Sequence, residues 1–254
     1  LAVGESLFGY TPYGWRIMTG LFGTAVIVFV FLLARRVSQS TNIALIAGII
    51  ALFDGVLLVA AKFGMLDIFQ VLFVVIAAWT LAGDMRQVHH RWHDAWLAGK
   101  LDGTGPYGPK MGFRWWRFAT GVLLGLSLSV KWSGLYFVAV FGIMTVLWDW
   151  WARRTIAQPR WFLVGLVKDA IPAFFAVVGT ALLTYLVSWA GWFASSIGYN
   201  RHLAADEGVA TGFDPLDALI SLWLYHRQAY DFHVGLDSEH PYAAHPAGWL
   251  LQLR

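Results

Sequence analysis

The chain has no cysteine, which excludes disulfide frameworks, thiolate nucleophiles and cysteine-based zinc centres. Charge is scarce too: Asp, Glu, Lys and Arg make up 13% of its 254 residues, against about 25% in a soluble domain. Water is therefore not its main solvent. There is no internal repeat, no low-complexity tract and no glycine-rich nucleotide loop, and Gly103-Thr104-Gly105-Pro106 with Tyr107-Gly108-Pro109 reads as a turn-rich linker. His89-His90-Arg91-Trp92-His93 has no carboxylate or thiolate at ligand spacing, so no metal site is expected there. No nucleic-acid partner is expected either. The chain opens on Leu1 without a charged segment ahead of an apolar one, so no signal peptide is read. It stops abruptly at Leu250-Leu251-Gln252-Leu253-Arg254, and it is expected to be an internal fragment of a longer protein.

What is abundant is apolar: 58% hydrophobic residues, with 15 Trp, 18 Phe and 9 Tyr, and a mean hydropathy of +0.59. Many aromatics lie where apolar runs meet polar stretches, as at a membrane interface. A spanning helix needs about 20 mostly apolar residues, which predicts an all-α, polytopic protein with six spans near 17–34, 41–60, 66–83, 117–131, 133–150 and 170–192. The fourth is short and turns tightly through Lys131-Trp132-Ser133-Gly134 into the fifth. The expected organisation is a membrane region over 1–192 and an extracytoplasmic segment, truncated, over 193–254. Alternation of the spans gathers Arg35, Arg36, Arg86, Arg91, Lys100, Lys110, Arg114, Arg117, Arg153, Arg154, Arg160 and Lys168 on one face, 12 of the 18 basic residues. By the positive-inside rule that face is cytoplasmic. These charges read as a topology signal and an attraction for anionic lipid.

Ionisable groups at the rim of a span are costly and tend to be paired or functional. Arg16, Asp54, Lys62, Asp67 and Lys131 all fall on the opposite face, and the long stretch after residue 193 adds further histidines and acids. Read blandly, Asp54, Lys62 and Asp67 form a structural ion pair or snorkelling helix ends, and Arg16 beside Trp15 is an interface anchor. The histidines at 226, 233, 240 and 245 fit no HExxH arrangement, so zinc catalysis has little support. A transporter would need polar groups at the midplane, but here the midplane is apolar and the polar groups sit at one face. That pattern suits an enzyme acting on a lipid-linked substrate with its head at the surface.

The run from Leu52-Phe53-Asp54-Gly55 through Lys62 to Leu66-Asp67 resembles a segment of the protein O-mannosyltransferases. Trp15-Arg16 ahead of an apolar helix, Lys131-Trp132-Ser133-Gly134-Leu135-Tyr136, and Tyr225-His226-Arg227-Gln228 through Phe232-His233 to His240-Pro241-Tyr242 and Trp249 extend the likeness over nearly the whole chain. It is similar to an actinobacterial-type member. The resemblance implies a GT-C-type glycosyltransferase that moves mannose, with inversion, from a polyprenyl-phosphate-mannose donor to Ser or Thr hydroxyls of secreted proteins. It implies a multi-pass plasma-membrane enzyme with an extracytoplasmic site, and membrane lipid, acceptor proteins and the secretion translocon as partners. No other cofactor is expected, and the divalent-metal requirement stays open.

The resemblance assigns Asp67, Asp54 and Lys62 to the catalytic turn, and Arg16 and Lys131 to the donor phosphate. It assigns His226, His233, His240 and Tyr242 to substrate positioning. The family's acidic Asp-Glu pair has no counterpart before Arg16, where Glu5 stands alone; the catalytic base is expected upstream and the fragment itself is expected to be inactive. The alternatives are a transferase that passes a lipid-linked sugar to a glycan or lipid, and a non-catalytic membrane subunit or transporter.

Overall fold

The computed structural model describes residues 2–100, 112–156 and 160–237. Its described residues are helical without strands, as the apolar runs predict. They divide into two units, Leu1–Ser188 and Trp189–Arg254, each described by itself below.

In the first unit, α1 (Ala2–Phe8) precedes α2 (Pro12–Ser38), α3 (Thr41–Leu52), α4 (Gly55–Phe63), α5 (Asp67–Leu97), α6 (Trp115–Val130) and α7 (Gly134–Thr155). A final helix, α8, runs from Trp161 to Ser188. Local chemistry sets the ends. The Thr11 hydroxyl accepts from Gly14 N–H with Pro12 in the first turn of α2, and Ser40 and Asp54 cap α3 and α4 in the same way. Gly64, at φ 76°, closes α4 in the left-handed conformation that favours glycine.

Among the described residues four helices, α2, α5, α7 and α8, are long and apolar enough to cross a membrane, and α3 with α4 forms an apolar pair bent by 55°, a fifth if the pair counts as one broken span rather than a re-entrant loop. Two of the six expected spans therefore look different. The one expected over 41–60 is broken at Phe53-Asp54, because Asp54 turns its side chain back to cap a new helix. The one expected over 117–131 is α6, whose 16 residues span about 24 Å, short of an apolar layer about 30 Å thick. α5, in contrast, runs 31 residues to Leu97, about 46 Å, so its polar last turns outreach that layer. Within α8, Pro172 supplies no N–H to the ladder, and the helix widens into π-turns at Leu166–Ala170 and Phe175–Gly179.

Ring contacts between Phe22 and Phe69 (4.5 Å between centroids) and between Phe29 and Trp79 (5.7 Å) set α2 and α5 side by side and parallel. α6 runs antiparallel to α5, joined at mid-height by the buried Thr80–Thr120 hydroxyl pair at 2.8 Å. Gly121 and Gly125 let the backbone of α8 approach so closely that a Cβ at either position would collide with it. Small residues four apart are a usual device for packing helices in lipid.

The end of the bundle where α5 and α7 finish and α6 begins holds a four-charge cluster. Arg114 donates to both oxygens of Asp84 and both of Asp149, the latter at 2.8 Å. Arg117 bridges the same two carboxylates. Side-chain exposure is 0% for Asp84, 3% for Arg117 and 7% for Asp149. Two positive and two negative charges cancel, which is how such groups tolerate burial. Nearby, Arg153 makes a two-pronged pair with Asp169, and the Arg36 guanidinium lies 3.7 Å from the Trp79 ring centre and donates to the Trp79 carbonyl. Arg36, Arg114, Arg117 and Arg153 are thus consumed in packing, not offered to lipid as their positions in the sequence suggest.

In the second unit, short helices Ala190–Ala194 (α9) and Leu203–Asp206 (α10) precede α11 (Asp214–Val234). Ser221, almost fully buried, accepts the Ala204 N–H at 2.9 Å and ties α11 to α10.

Replacing Arg117 by Met leaves one arginine for two buried carboxylates, and a broken buried pair costs about 3–5 kcal/mol. Thermal unfolding in detergent should fall accordingly for Arg117→Met, whereas Arg154→Met at an exposed position should stay within about 0.5 kcal/mol of wild type. Equal stabilities for the two variants would show that the cluster holds nothing together.

Candidate functional site

The other end of the first unit collects the N-terminal turns of α2, the α4–α5 turn and the α6–α7 turn. Two of the expected site residues meet here: Lys131 Nζ lies 2.9 Å from Asp67 Oδ1. The pair is open to the surroundings, with side-chain exposures of 57% and 46%. An exposed ion pair contributes about 1 kcal/mol or less, so exchanging Asp67 for another anion at Lys131 costs little. Asp67 opens α5 without a side-chain cap on the helix, and a carboxylate in a first turn is favoured by the helix dipole.

Beneath the pair lies a residue the sequence reading passed over. Gln70 is 7% exposed; its Nε2 donates to the Lys131 carbonyl at 3.3 Å and lies 3.0 Å from Ser133 Oγ. The same hydroxyl stands 3.1 Å from Gln70 Oε1. The available signal was a lone amide inside the apolar run Ile68-Phe69-Gln70-Val71-Leu72.

The remaining rim residues are placed differently. Arg16 is exposed in the first turns of α2. The Phe22–Phe69 pairing puts Gly20 level with Asp67, so Arg16 stands about 6 Å above that level along α2. Lys62 is exposed in the last turn of α4. Asp54 is engaged as the cap of α4, accepting the Leu57 N–H at 2.8 Å. The structure brings together Asp67 and Lys131, and gives Asp54 a local structural task.

In the second unit, His226 and His233 lie seven residues apart on one face of α11. Their Nδ1 atoms are 2.7 Å and 2.6 Å from the carbonyls of Leu222 and Ala229. Trp189 packs against both Tyr225 and His226. His240 and Tyr242 lie outside the described residues. Arg201, 7% exposed, packs over Trp192 and reaches Asp214 at 3.4 Å. Asp217 accepts from Thr211 N–H at 2.6 Å, Thr211 Oγ1 at 2.7 Å and Gly212 N–H at 3.1 Å. The Thr211 donors hold its carboxyl below its ordinary value. Among the described residues no group of three or more His, Asp or Glu is arranged to hold a metal ion.

Residues 2–101 match the family model described as dolichyl-phosphate-mannose-protein mannosyltransferase. Over its whole length the chain is 46% identical to a polyprenol-phosphate-mannose–protein mannosyltransferase of Corynebacterium glutamicum, covering 50% of that protein. It is 40% identical to the protein of that name in Mycobacterium tuberculosis, again over its whole length and 49% of the relative. With protein O-mannosyl-transferase 2 of Danio rerio it shares 25% identity over 80% of the chain and 26% of that protein. The chain thus spans about half the length of the bacterial relatives it matches. No solved structure matches. The resemblance to protein O-mannosyltransferases seen in the motifs extends over the entire chain.

The Asp217 geometry carries a pH dependence. Because its carboxyl is held low in the folded state, its contribution is complete above the unfolded value of about 4 and is lost as pH falls through the lower folded value. Hydrogen exchange at the Thr211 and Gly212 amides should speed up in that acid window beyond the intrinsic rate. In Asp217→Ala both amides should already be fast at neutral pH, and unchanged protection there would remove Asp217 as their anchor.

Proposed function

We propose that this chain is part of a membrane glycosyltransferase that moves mannose from polyprenyl-phosphate-mannose to Ser or Thr hydroxyls of proteins; its 46%-identical relative is named a polyprenol-phosphate-mannose–protein mannosyltransferase. The observation that carries the reading is the open Lys131–Asp67 pair at the same helix ends as Arg16. It offers cations at a membrane rim, where a lipid phosphate lies while its tail stays in the apolar layer. In the transfer, the acceptor oxygen forms a bond to the anomeric carbon as the bond from that carbon to the phosphate oxygen breaks. The hydroxyl proton goes to a carboxylate, and the polyprenyl phosphate leaves with both electrons. Attack opposite the leaving group inverts the anomeric centre. The negative charge that develops on the phosphate calls for fixed cations, a role we assign to Arg16 and Lys131. Asp67 is the acidic residue assigned to the site itself, and it holds Lys131 in place until the donor arrives. Lys62 and Asp54 belong to the same turn region, Asp54 through its cap on α4. His226, His233, His240 and Tyr242 are assigned to positioning acceptor or donor.

The basic-residue asymmetry supports a plasma-membrane orientation with this rim extracytoplasmic, facing secreted acceptors as they leave the translocon. Single cysteines placed near Arg91 and near Asp214 should then label from opposite sides of sealed vesicles. Labelling from one side would overturn that orientation.

An arginine keeps its charge at every relevant pH and can hold two phosphate oxygens, whereas lysine keeps the charge and loses the fork. In the full-length protein, transfer measured against donor concentration should rank wild type above Arg16→Lys above Arg16→Ala. Asp67→Asn should lower transfer at least about tenfold, equivalent to about 1.4 kcal/mol of transition-state stabilisation. An unchanged rate and donor dependence in folded Arg16→Ala would reduce Arg16 to an interface anchor beside Trp15.

A further inference from the structure

We infer that Gln70 is a positioning residue for the donor's phosphate, acting through Lys131; the inference rests on the role proposed for Lys131 above. The ammonium is carried by the last residue before the α6–α7 turn, so its direction depends on how that turn is held. Lys131 has left the helix for an extended conformation, φ −157° and ψ 139°. Its carbonyl accepts from the Gly134 N–H at 2.9 Å and from Gln70 at 3.3 Å, which occupies both lone pairs. Gly134 allows α7 to start there, since a Cβ would meet the Leu128 backbone at 2.6 Å.

Gln70 supplies the link to α5. Asp67 and Gln70 are three residues apart and so share a face of that helix. One grips the Lys131 side chain and the other its backbone and Ser133. If donor phosphate displaces Asp67 from Lys131, the ion pair no longer ties the lysine to α5, and the buried Gln70 amide still does. An amide in an apolar setting is unfavourable unless fully bonded. Methionine of similar volume would suit packing in lipid at least as well, so packing alone does not account for a glutamine here. Its contacts all go to the three-residue turn that presents the ammonium.

The test uses the full-length protein and labelled polyprenyl-phosphate-mannose. Gln70→Met should raise the donor KM about tenfold, leave the acceptor KM unchanged, and give a thermal stability equal to or above wild type, a combination that a merely structural role would not produce. Ser133→Ala, which removes only a hydroxyl, should shift the donor KM in the same direction by less. In a Lys131→Ala background, which raises the donor KM by itself, Gln70→Met should add nothing. Additive effects of the two changes, or a normal donor KM in both Gln70→Met and Ser133→Ala while Lys131→Ala is impaired, would overturn the positioning role and leave the phosphate role of Lys131 standing. A normal donor KM in Lys131→Ala would instead overturn the phosphate role, and the inference with it.

Discussion

The neutral cluster of Asp84, Arg114, Arg117 and Asp149 is the constraint on which the bundle's geometry depends. Each charge is largely buried, with side-chain exposure of 12% or less, so each needs its opposite, and the observed arrangement of α5, α6 and α7 supplies all four partners. Lipid tails are as apolar as leucine and give helices little reason to choose one register over another. The paired charges make that choice. With the basic end fixed, the Thr80–Thr120 bond and the glycine contacts of α6 with α8 carry the register along the helices. At the far end the Gln70–Lys131–Ser133 contacts orient the α6–α7 turn that carries the ammonium.

The two ends of the bundle use charge in opposite ways. At the basic end Asp84, Asp149 and Asp169 are buried and paired with Arg114, Arg117 and Arg153, so those groups are committed to structure. At the rim the Lys131–Asp67 pair is roughly half exposed and exchanges partners at small cost. That contrast, more than the number of charges, is why a lipid-linked anionic substrate is assigned to the rim.

Much of this was legible in the sequence, and the misses have physical causes. The all-α membrane character followed from the length of the apolar runs, and Asp67 and Lys131 stood out as ionisable groups at span ends. Their pairing did not, since 64 residues separate them. Hydropathy averaged across Asp54 and hid the break there, although an Asp ahead of Gly55 is a reasonable helix cap. It also ended the third span near residue 83, where polarity rises. The helix continues to Leu97 because no proline or glycine intervenes between Gly83 and Gly99. Arg114, Arg117 and Arg153 were read as loop charges; their carboxylate partners lie 16 to 35 residues away in sequence, beyond any local pattern. The first π-turn of α8, Leu166–Ala170, lies just ahead of Pro172, which has no N–H to donate to the Lys168 carbonyl.

On this assignment the donor's phosphate docks at the end of the bundle bearing Lys131, not at the end bearing the larger number of arginines. A polyprenyl-phosphate carrying a photoreactive group next to its phosphate, irradiated with the full-length protein in membranes, tests it most directly. Cross-linked peptides should map to the Lys131–Ser133 turn and the start of α5 around Asp67, and unlabelled polyprenyl-phosphate-mannose should compete the label away. Competable labelling confined to the Arg86–Arg91 stretch and the start of α6 would contradict the claim.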